Sequence, residues 1–512
     1  MYIDLTIDDI THELLKYLIG LDLESEEKRV MNEADKYYNV KNSKIIDRRK
    51  MMMLYEEVVD PKTQEIDEVP YLKEDFSKAN NKAKHSYLQE LINQCTNYLT
   101  GKPIKLDYKK KIANKDKELV DDELYRNNNF LGFLQHNVKN IQLYGKTYMR
   151  IIIDEEGNKK FVVYDPKEII MFYNEFDEPI LAIRYFTKLE LDEKNKVKSV
   201  KYAEVFDAKS KDTWKINKKG KWEKDGAREY VYADKVVYKD AKGNIAKEET
   251  ISKDIPVFPI IEWRFNEECI PTLVNIKDFI DLQDTNLSDL ANNVEDIQEA
   301  IWILENYNGQ NLKEFMEDLK VKKAIKVGAG GSAHSETVQI PIEARNKLYE
   351  LCDKNIYKFG FGVNFSERDS LGNVTGVALK WSYAPLEQKA NAIENNGQEA
   401  LNNFFNILFN LMGLKYDSND LEFIFDRTMI SNEEEQTRTV MSASSQLSQK
   451  TILSNLPMVK DVEEEIKELE GEEEYEPTIQ NEPVETGEDD EKKAELGDAN
   501  NSNLPDNKSS KE

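Results

Sequence analysis

Ten positions between Leu273 and Leu304 step by three and four without a break. They are Leu273, Ile276, Ile280, Gln283, Leu287, Leu290, Val294, Ile297, Ile301 and Leu304, and only Gln283 is polar. That spacing puts them on one stripe of an α-helix, and a stripe this long needs a neighbour along its length. A second helical pattern at about 342–360 carries Ala344, Leu348, Leu351, Cys352 and Phe359 on one side. Between them, "NLKEFMEDL" reads as a short helix, "KKAIKV" and "ETVQI" as strands, and "GAGGS" as a turn. Two long helices thus flank a compact α/β insertion. The Ile301-Trp302-Ile303-Leu304 cluster is β-branched and aromatic enough to have turned already into a strand.

Upstream, residues 1–100 read mainly as helix. In "NNKAKHSYLQELINQCTNYLTGKPIKL", Tyr87, Leu91, Cys95, Tyr98 and Leu99 share a face, with His85 expected on the same helix as a surface or capping residue. Gly101 and Pro103 supply the stop. A further helix is expected over 120–145, ending at Gly145. From Lys146 to about Pro259 the period changes to two. "TYMRIIID" meets "KKFVVYD" across Glu155-Glu156-Gly157-Asn158, a hairpin signature, and short Tyr-, Val- and Phe-rich strands follow.

Downstream, residues 361–375 read as loop. Thr375 is an N-cap candidate for a long helix whose apolar stripe runs from Leu386 through Ala390, Ile393, Gly397, Ala400, Phe404 and Leu408 to Leu411 and stops at Gly413. Pro385 falls inside that pattern, so a kink near Trp381 is expected. A strand "LEFIFD" follows. Ser431 with Glu434 then forms a capping box for a helix at 432–449. A last helical piece precedes a Glu-, Asp-, Asn- and Pro-rich tail, expected to be disordered from about Gly471.

The net charge of −27 is unevenly placed. Residues 461–512 hold 20 acidic and 5 basic side chains, so the tail carries −15 and the rest −12. An acidic body argues against a tight nucleic-acid binder, which would cluster Lys and Arg, but not against a protein that encloses nucleic acid and lets it slide. Three scattered cysteines suit a reducing compartment. The N-terminus is acidic where a signal peptide is basic, and no apolar run approaches the roughly 20 residues that span a bilayer. No membrane association is expected.

Catalytic chemistry is not visible. Gly145-Lys146-Thr147 is half a P-loop, but Asn140 stands where the first glycine belongs and a strand follows. Gly328 to Ala333 formally fits a dinucleotide fingerprint, yet a polar strand follows it instead of a helix, so a hairpin turn is expected. His12, His85, His136 and His334 lie in separate segments without a partner at metal spacing. No catalytic, cofactor or metal residue is assigned, and the chain is not expected to be an enzyme.

Three stretches in order, "NNKAKHSYLQELINQCTNYLTGKPI", "LSDLANNVEDIQEAIWIL" and "TGVALKWSYAPLEQKANAIE", resemble the portal proteins of tailed double-stranded DNA phages, and within them the SPP1-type group. "KTILSNLPMVKDVEEEI" near the end resembles the same group. The resemblance spans about residues 75 to 470.

It implies an α+β portal fold: a mixed α/β wing, a two-helix stem, a small α/β clip, a long kinked helix with a tunnel loop, and a helical crown. By order, 1–270 is wing, helical over 1–145 and β-rich over 146–260. Residues 271–297 and 342–360 are the stem helices, with Leu273, Ile276, Ile280, Leu287, Leu290 and Val294 as stem packing. Residues 298–341 are clip and 361–375 tunnel loop. Residues 376–426 are the long wing helix, kinked at Pro385, and its strand. Residues 427–470 are crown and 471–512 a disordered acidic tail.

The resemblance also implies a homo-oligomeric ring, usually a dodecamer, at a capsid vertex, and the host cytoplasm during assembly. It would be the conduit for packaging and ejection of double-stranded DNA. Expected partners are the terminase large subunit through the clip, adaptor or neck proteins, and major capsid and scaffold proteins. DNA-facing candidates are Ser366, Glu367, Arg368, Asp369, Ser370, Leu371, Gly372, Asn373, Val374 and Thr375, with Lys380. Arg368 and Lys380 are phosphate-contact candidates, and each also reads as a solvated surface charge. A net acidic tunnel wall is expected, because a lysine-lined one would hold DNA and stall it. The alternatives are a head or neck structural protein that never touches DNA, and a metal-dependent DNA-processing enzyme.

Overall fold

The computed structural model describes residues 5–42, 44–49, 52–59, 66–74, 78–191, 195–239, 245–296, 301–305, 330–336, 341–365, 381–428, 433–456, 458–459 and 462–473. The chain divides into two compact units, Met1–Ile430 and Ser431–Glu512.

The largest core of the first unit forms around helix Ala384–Met412. Its buried residues Leu386, Ala390, Ile393, Gly397, Ala400 and Phe404 recur at three and four, so one face is continuously apolar. Phe404 and Phe405 meet Phe130 from helix Phe130–Tyr144, at ring-centroid distances of 5.8 and 5.9 Å. Gly397 has no side chain because the Trp263 indole lies against it: a Cβ there would be 2.5 Å from the ring. The helix stops at Met412, with Gly413 in the left-handed region at φ +72°.

Pro385 does not kink this helix from within. Residues 381–382 are helical, Tyr383 forms a turn, and the continuous helix begins at Ala384. Pro385 therefore stands in the first turn, where a missing N–H leaves no hydrogen bond unmade. Interior apolar spacing and first-turn apolar spacing look alike in a sequence, so periodicity could not separate the two.

The β-rich region holds two larger sheets and a separate two-stranded one, Ala233–Lys239 with Ile245–Ser252. Strands Trp222–Lys224, Ser210–Ile216, Val197–Phe206, Pro179–Leu191 and Ile169–Tyr173 lie side by side in that order, and Glu229–Tyr230 also pairs with Ser210–Ile216. One face of this sheet, including Phe172, Leu181, Ile183 and Trp214, packs on Leu15 and Leu18 of helix His12–Leu23. The other face, with Ile169, Met171 and Phe206, packs on Tyr148 and Tyr164 of a second sheet. That sheet has the order Ile261–Arg264, Lys146–Ile153, Lys159–Tyr164. Strand Ile169–Tyr173 is buried on both faces for this reason.

Several elements differ from the sequence expectation. An antiparallel hairpin, Met52–Val59 with Ile66–Lys73, interrupts the helical N-terminal region. Its Met, Leu and Glu content reads as helix; strand pairing is decided by a partner strand, not by intrinsic preference. The expected helix over 120–145 is split. A π-helical turn, Asp122–Arg126, ends one helix, and Asn129 caps the next by accepting from the Gly132 amide at 3.0 Å. In the insertion, the strand opposite Ile301–Glu305 is Ser332–Glu336, earlier than "ETVQI".

The second unit carries helices Glu433–Ser442, Gln449–Asn455 and Val462–Glu473. The helix expected over 432–449 stops at Ser442, where a serine-rich stretch turns the chain, and Ser448 caps the next helix by accepting from the Thr451 amide. The last helix runs through Gly471, the expected start of the tail, to Glu473; 474–512 lie outside the described residues.

Candidate functional site

Helix Lys277–Asp296 carries only the middle of the heptad stripe, since Leu273 lies in the short 3-10 turn Thr272–Asn275 and Ile301 and Leu304 in strand Ile301–Glu305, and the chain does not bury that stripe evenly. Leu273, Ile276 and Ile280 are buried, Leu287 and Leu290 are half-buried, and Val294 is 54% exposed. The side chains covered instead are polar: Asp284, Ser288 and Asn292, one helical turn apart. Against them lie residues 79–86, which form no regular secondary structure. Asn292 Oδ1 accepts from the Asn81 amide at 2.5 Å and Ser288 Oγ from the Ala83 amide at 3.0 Å. Asp284 Oδ1 accepts from the His85 amide at 2.9 Å and faces His85 Nδ1 at 2.7 Å. Asn42 Nδ2 donates to the other oxygen of Asp284 at 2.9 Å. The polar stripe thus does for this segment what a neighbouring strand would do. His85 lies just ahead of helix Tyr87–Thr100, not on it.

Helix Ile342–Gly360 packs beside Lys277–Asp296. Phe279 stacks on Phe359 at 5.7 Å, and the Asn286 side chain donates to the Arg345 carbonyl at 3.1 Å. Yet Ile342 and Leu351 remain exposed, Leu351 at 49%. The two helices bury part of their apolar surface on each other and leave part uncovered.

The DNA-facing candidates, Ser366 to Thr375 and Lys380, lie outside the described residues, as does the N-cap candidate Thr375. Their two flanks are described. Helix Ile342–Gly360 ends with Phe361 left-handed at φ +57°, and the Val363 backbone is gripped by the Gln94 amide. On the other side Trp381 is 74% exposed, while Tyr383 is buried and stacks on Tyr98 at 5.8 Å. Arg427 then bridges Glu387 at 3.2 Å and Glu394 at 2.7 Å.

Lys389 was not singled out by the sequence, where it sits on an otherwise apolar face. It is 5% exposed, and its Nζ donates to the carbonyl of Gly360, the last residue of helix Ile342–Gly360, at 3.4 Å. A cation suits that negative helix end. Burial nevertheless pushes the ammonium below the usual lysine range, and the nearby Cys95 opposes this only in part. A lysine pKa lowered by folding means the unfolded chain holds the proton more tightly. The stability contributed is then present above the unfolded value, about 10.4, and is lost as pH falls through the folded one. Wild type should therefore gain stability relative to Lys389→Met as pH rises toward about 10.4. Urea midpoints of the two proteins across pH check this; a constant difference would contradict it.

A groove of about 790 Å³ runs between the β-rich region and helix Ala384–Met412. Its Glu262 accepts from Tyr173 at 2.6 Å and Arg264 at 2.7 Å, so this carboxylate is engaged in holding the sheet. Among the described residues no group of three or more His, Cys, Asp or Glu is placed to hold a metal ion, and no helix is long and apolar enough to cross a membrane. Cys95 and Cys352 are buried; Cys269 is partly so, and burial pushes its thiol up to about 11. None of the three has the lowered pKa of a reactive thiol.

The sequence matches the family described as phage portal protein, SPP1 Gp6-like, over residues 21–478. It is 28% identical over 410 residues to the portal protein of Bacillus phage SPP1, covering 78% of this chain and 77% of that one. It is 27% identical over 403 residues to the portal protein of Clostridium phage phiCD119, covering 75% and 83%. Among solved structures, a chain from the neck of a native GTA particle matches with a TM-score of 0.42 and 10% identity, over 72% of this chain and 89% of that chain.

Proposed function

Because this chain belongs to the SPP1 Gp6-like family of phage portal proteins, we propose that it closes, with identical copies, into a dodecameric ring around a DNA conduit at one capsid vertex. It is a portal of a tailed phage and a virion component. In this reading DNA enters through the ring during packaging, driven by the terminase large subunit, and leaves by it at infection. Residues 271–297 and 342–360 are the stem, 298–341 the clip that docks the terminase and then adaptor or neck proteins, and 1–270 with 376–426 the wing. Residues 427–470 are the crown. The ring assembles in the host cytoplasm with scaffold and major capsid proteins. Residues 366–375 and Lys380 face the DNA, with a net acidic wall that contacts it transiently.

One observation carries the ring. The stem helices keep Val294, Ile342 and Leu351 uncovered within the chain, although a seam of this spacing requires a neighbour. In a closed ring each subunit covers one face of the next. The test is electron microscopy with light scattering on the purified protein. Annular particles of about a dozen copies are expected, and Leu351→Glu should lower the copy number while leaving the monomer's unfolding transition in place. A monomer at every concentration would defeat the reading.

A further inference from the structure

Helix Tyr87–Thr100 carries four polar side chains, at 87, 90, 94 and 98, in one stripe. Each reaches a residue 266 to 289 positions further along the chain. Tyr87 Oη donates to Asp353 at 2.8 Å, and Glu90 accepts from Tyr357 Oη at 2.8 Å. Gln94 Oε1 accepts from the Val363 amide at 3.0 Å, and its Nε2 donates back to the Val363 carbonyl at 3.0 Å. Tyr98 Oη donates to Glu387 at 2.5 Å. The first three contacts lie ahead of residue 366 and the fourth lies beyond residue 380.

We propose that this stripe, with Gln94 as its central positioning residue, fixes both ends of segment 366–380 to a single rigid helix. Gln94 and Tyr98 are four residues apart, about 6 Å along the helix axis. A primary amide is suited to the task because it offers one donor and one acceptor, completing both backbone groups of Val363. Val363 is buried, so those groups have no water to turn to. Gly360 and Gly362 let the chain come this close: a Cβ on Gly360 would stand 2.5 Å from Leu91, and one on Gly362 closer still. The chain on either side of 366–380, at Val363 and at Glu387, is thereby tied to helix Tyr87–Thr100. The consequence for DNA rests on the reading of 366–380 as DNA-facing; the clamp itself does not.

The test uses the full chain with Gln94→Glu, which keeps the shape, removes the donor and sets a second oxygen against the Val363 carbonyl. Gln94→Met, which removes both partners without adding charge, is the second variant. Hydrogen exchange at Val363 should accelerate about tenfold in Gln94→Met, which removes the acceptor of its N–H, and less in Gln94→Glu, which retains that acceptor, while the copy number by light scattering stays unchanged and DNA packaged per capsid falls. Tyr98→Phe should instead accelerate exchange at the Glu387 amide. Unchanged exchange at Val363 in both Gln94 variants overturns the clamp. Accelerated exchange with unchanged packaging upholds the clamp and removes the DNA-facing reading of the segment.

Discussion

Gly145→Ala is expected to cost about 4 kcal/mol or more, enough to leave little folded protein at 37 °C. Three constraints meet at this residue. It caps helix Phe130–Tyr144 in the left-handed region, φ +83°, and its N–H donates to the Ile141 carbonyl at 2.9 Å. Its own carbonyl accepts from the Phe265 amide at 2.8 Å, where strands Lys146–Ile153 and Ile261–Arg264 meet. A Cβ would run into the carbonyl oxygen of Cys269. The left-handed conformation alone costs an alanine roughly 1 kcal/mol. The rest comes from the clash, because the obstacle is backbone and cannot rotate aside, and Cys269 is itself held at φ +55°. Urea denaturation followed by tryptophan fluorescence reads the effect; a variant within about 1 kcal/mol of wild type would contradict it.

Asp284→Ala is the second large effect, with an expected loss of about 3 kcal/mol. Asp284 is fully buried and accepts from the Asn42 side chain and the His85 amide, with the His85 ring against the same oxygen. Alanine leaves those donors without that partner, the buried Asn42 amide foremost. Segment 79–86 should come off helix Lys277–Asp296, so exchange at the Ala83 and His85 amides should rise far more than exchange at Leu91. Asp284→Asn retains an acceptor and should lose less. Equal losses for the two variants would show that the hydrogen bonds are not what holds the segment.

Much of the fold was legible where the cause is local. Gly145 and Gly413 mark helix ends because only glycine takes a left-handed cap without strain. The change of period at Lys146 announces the strand Lys146–Ile153 because side chains alternate across a strand. The quoted motifs, read in order, led to the portal family that the whole-chain comparison also gives. The chemistry of the flanks of 366–380 was less legible. Neither Gln94 nor Lys389 is marked out by residue spacing. Their partners, Val363 and Gly360, are 269 and 29 residues away and contribute backbone atoms, which leave no mark in side-chain spacing.

The sequence by itself determined which residues share a face of each helix. Periodicity follows from backbone geometry and needs no knowledge of neighbours. Only the tertiary structure decided what covers each face. On helix Lys277–Asp296 it covered Asp284, Ser288 and Asn292 with the irregular segment 79–86 and left Val294 open. An unpaired backbone N–H inside a protein must find an acceptor wherever the fold brings one, and that acceptor sits some 200 residues away.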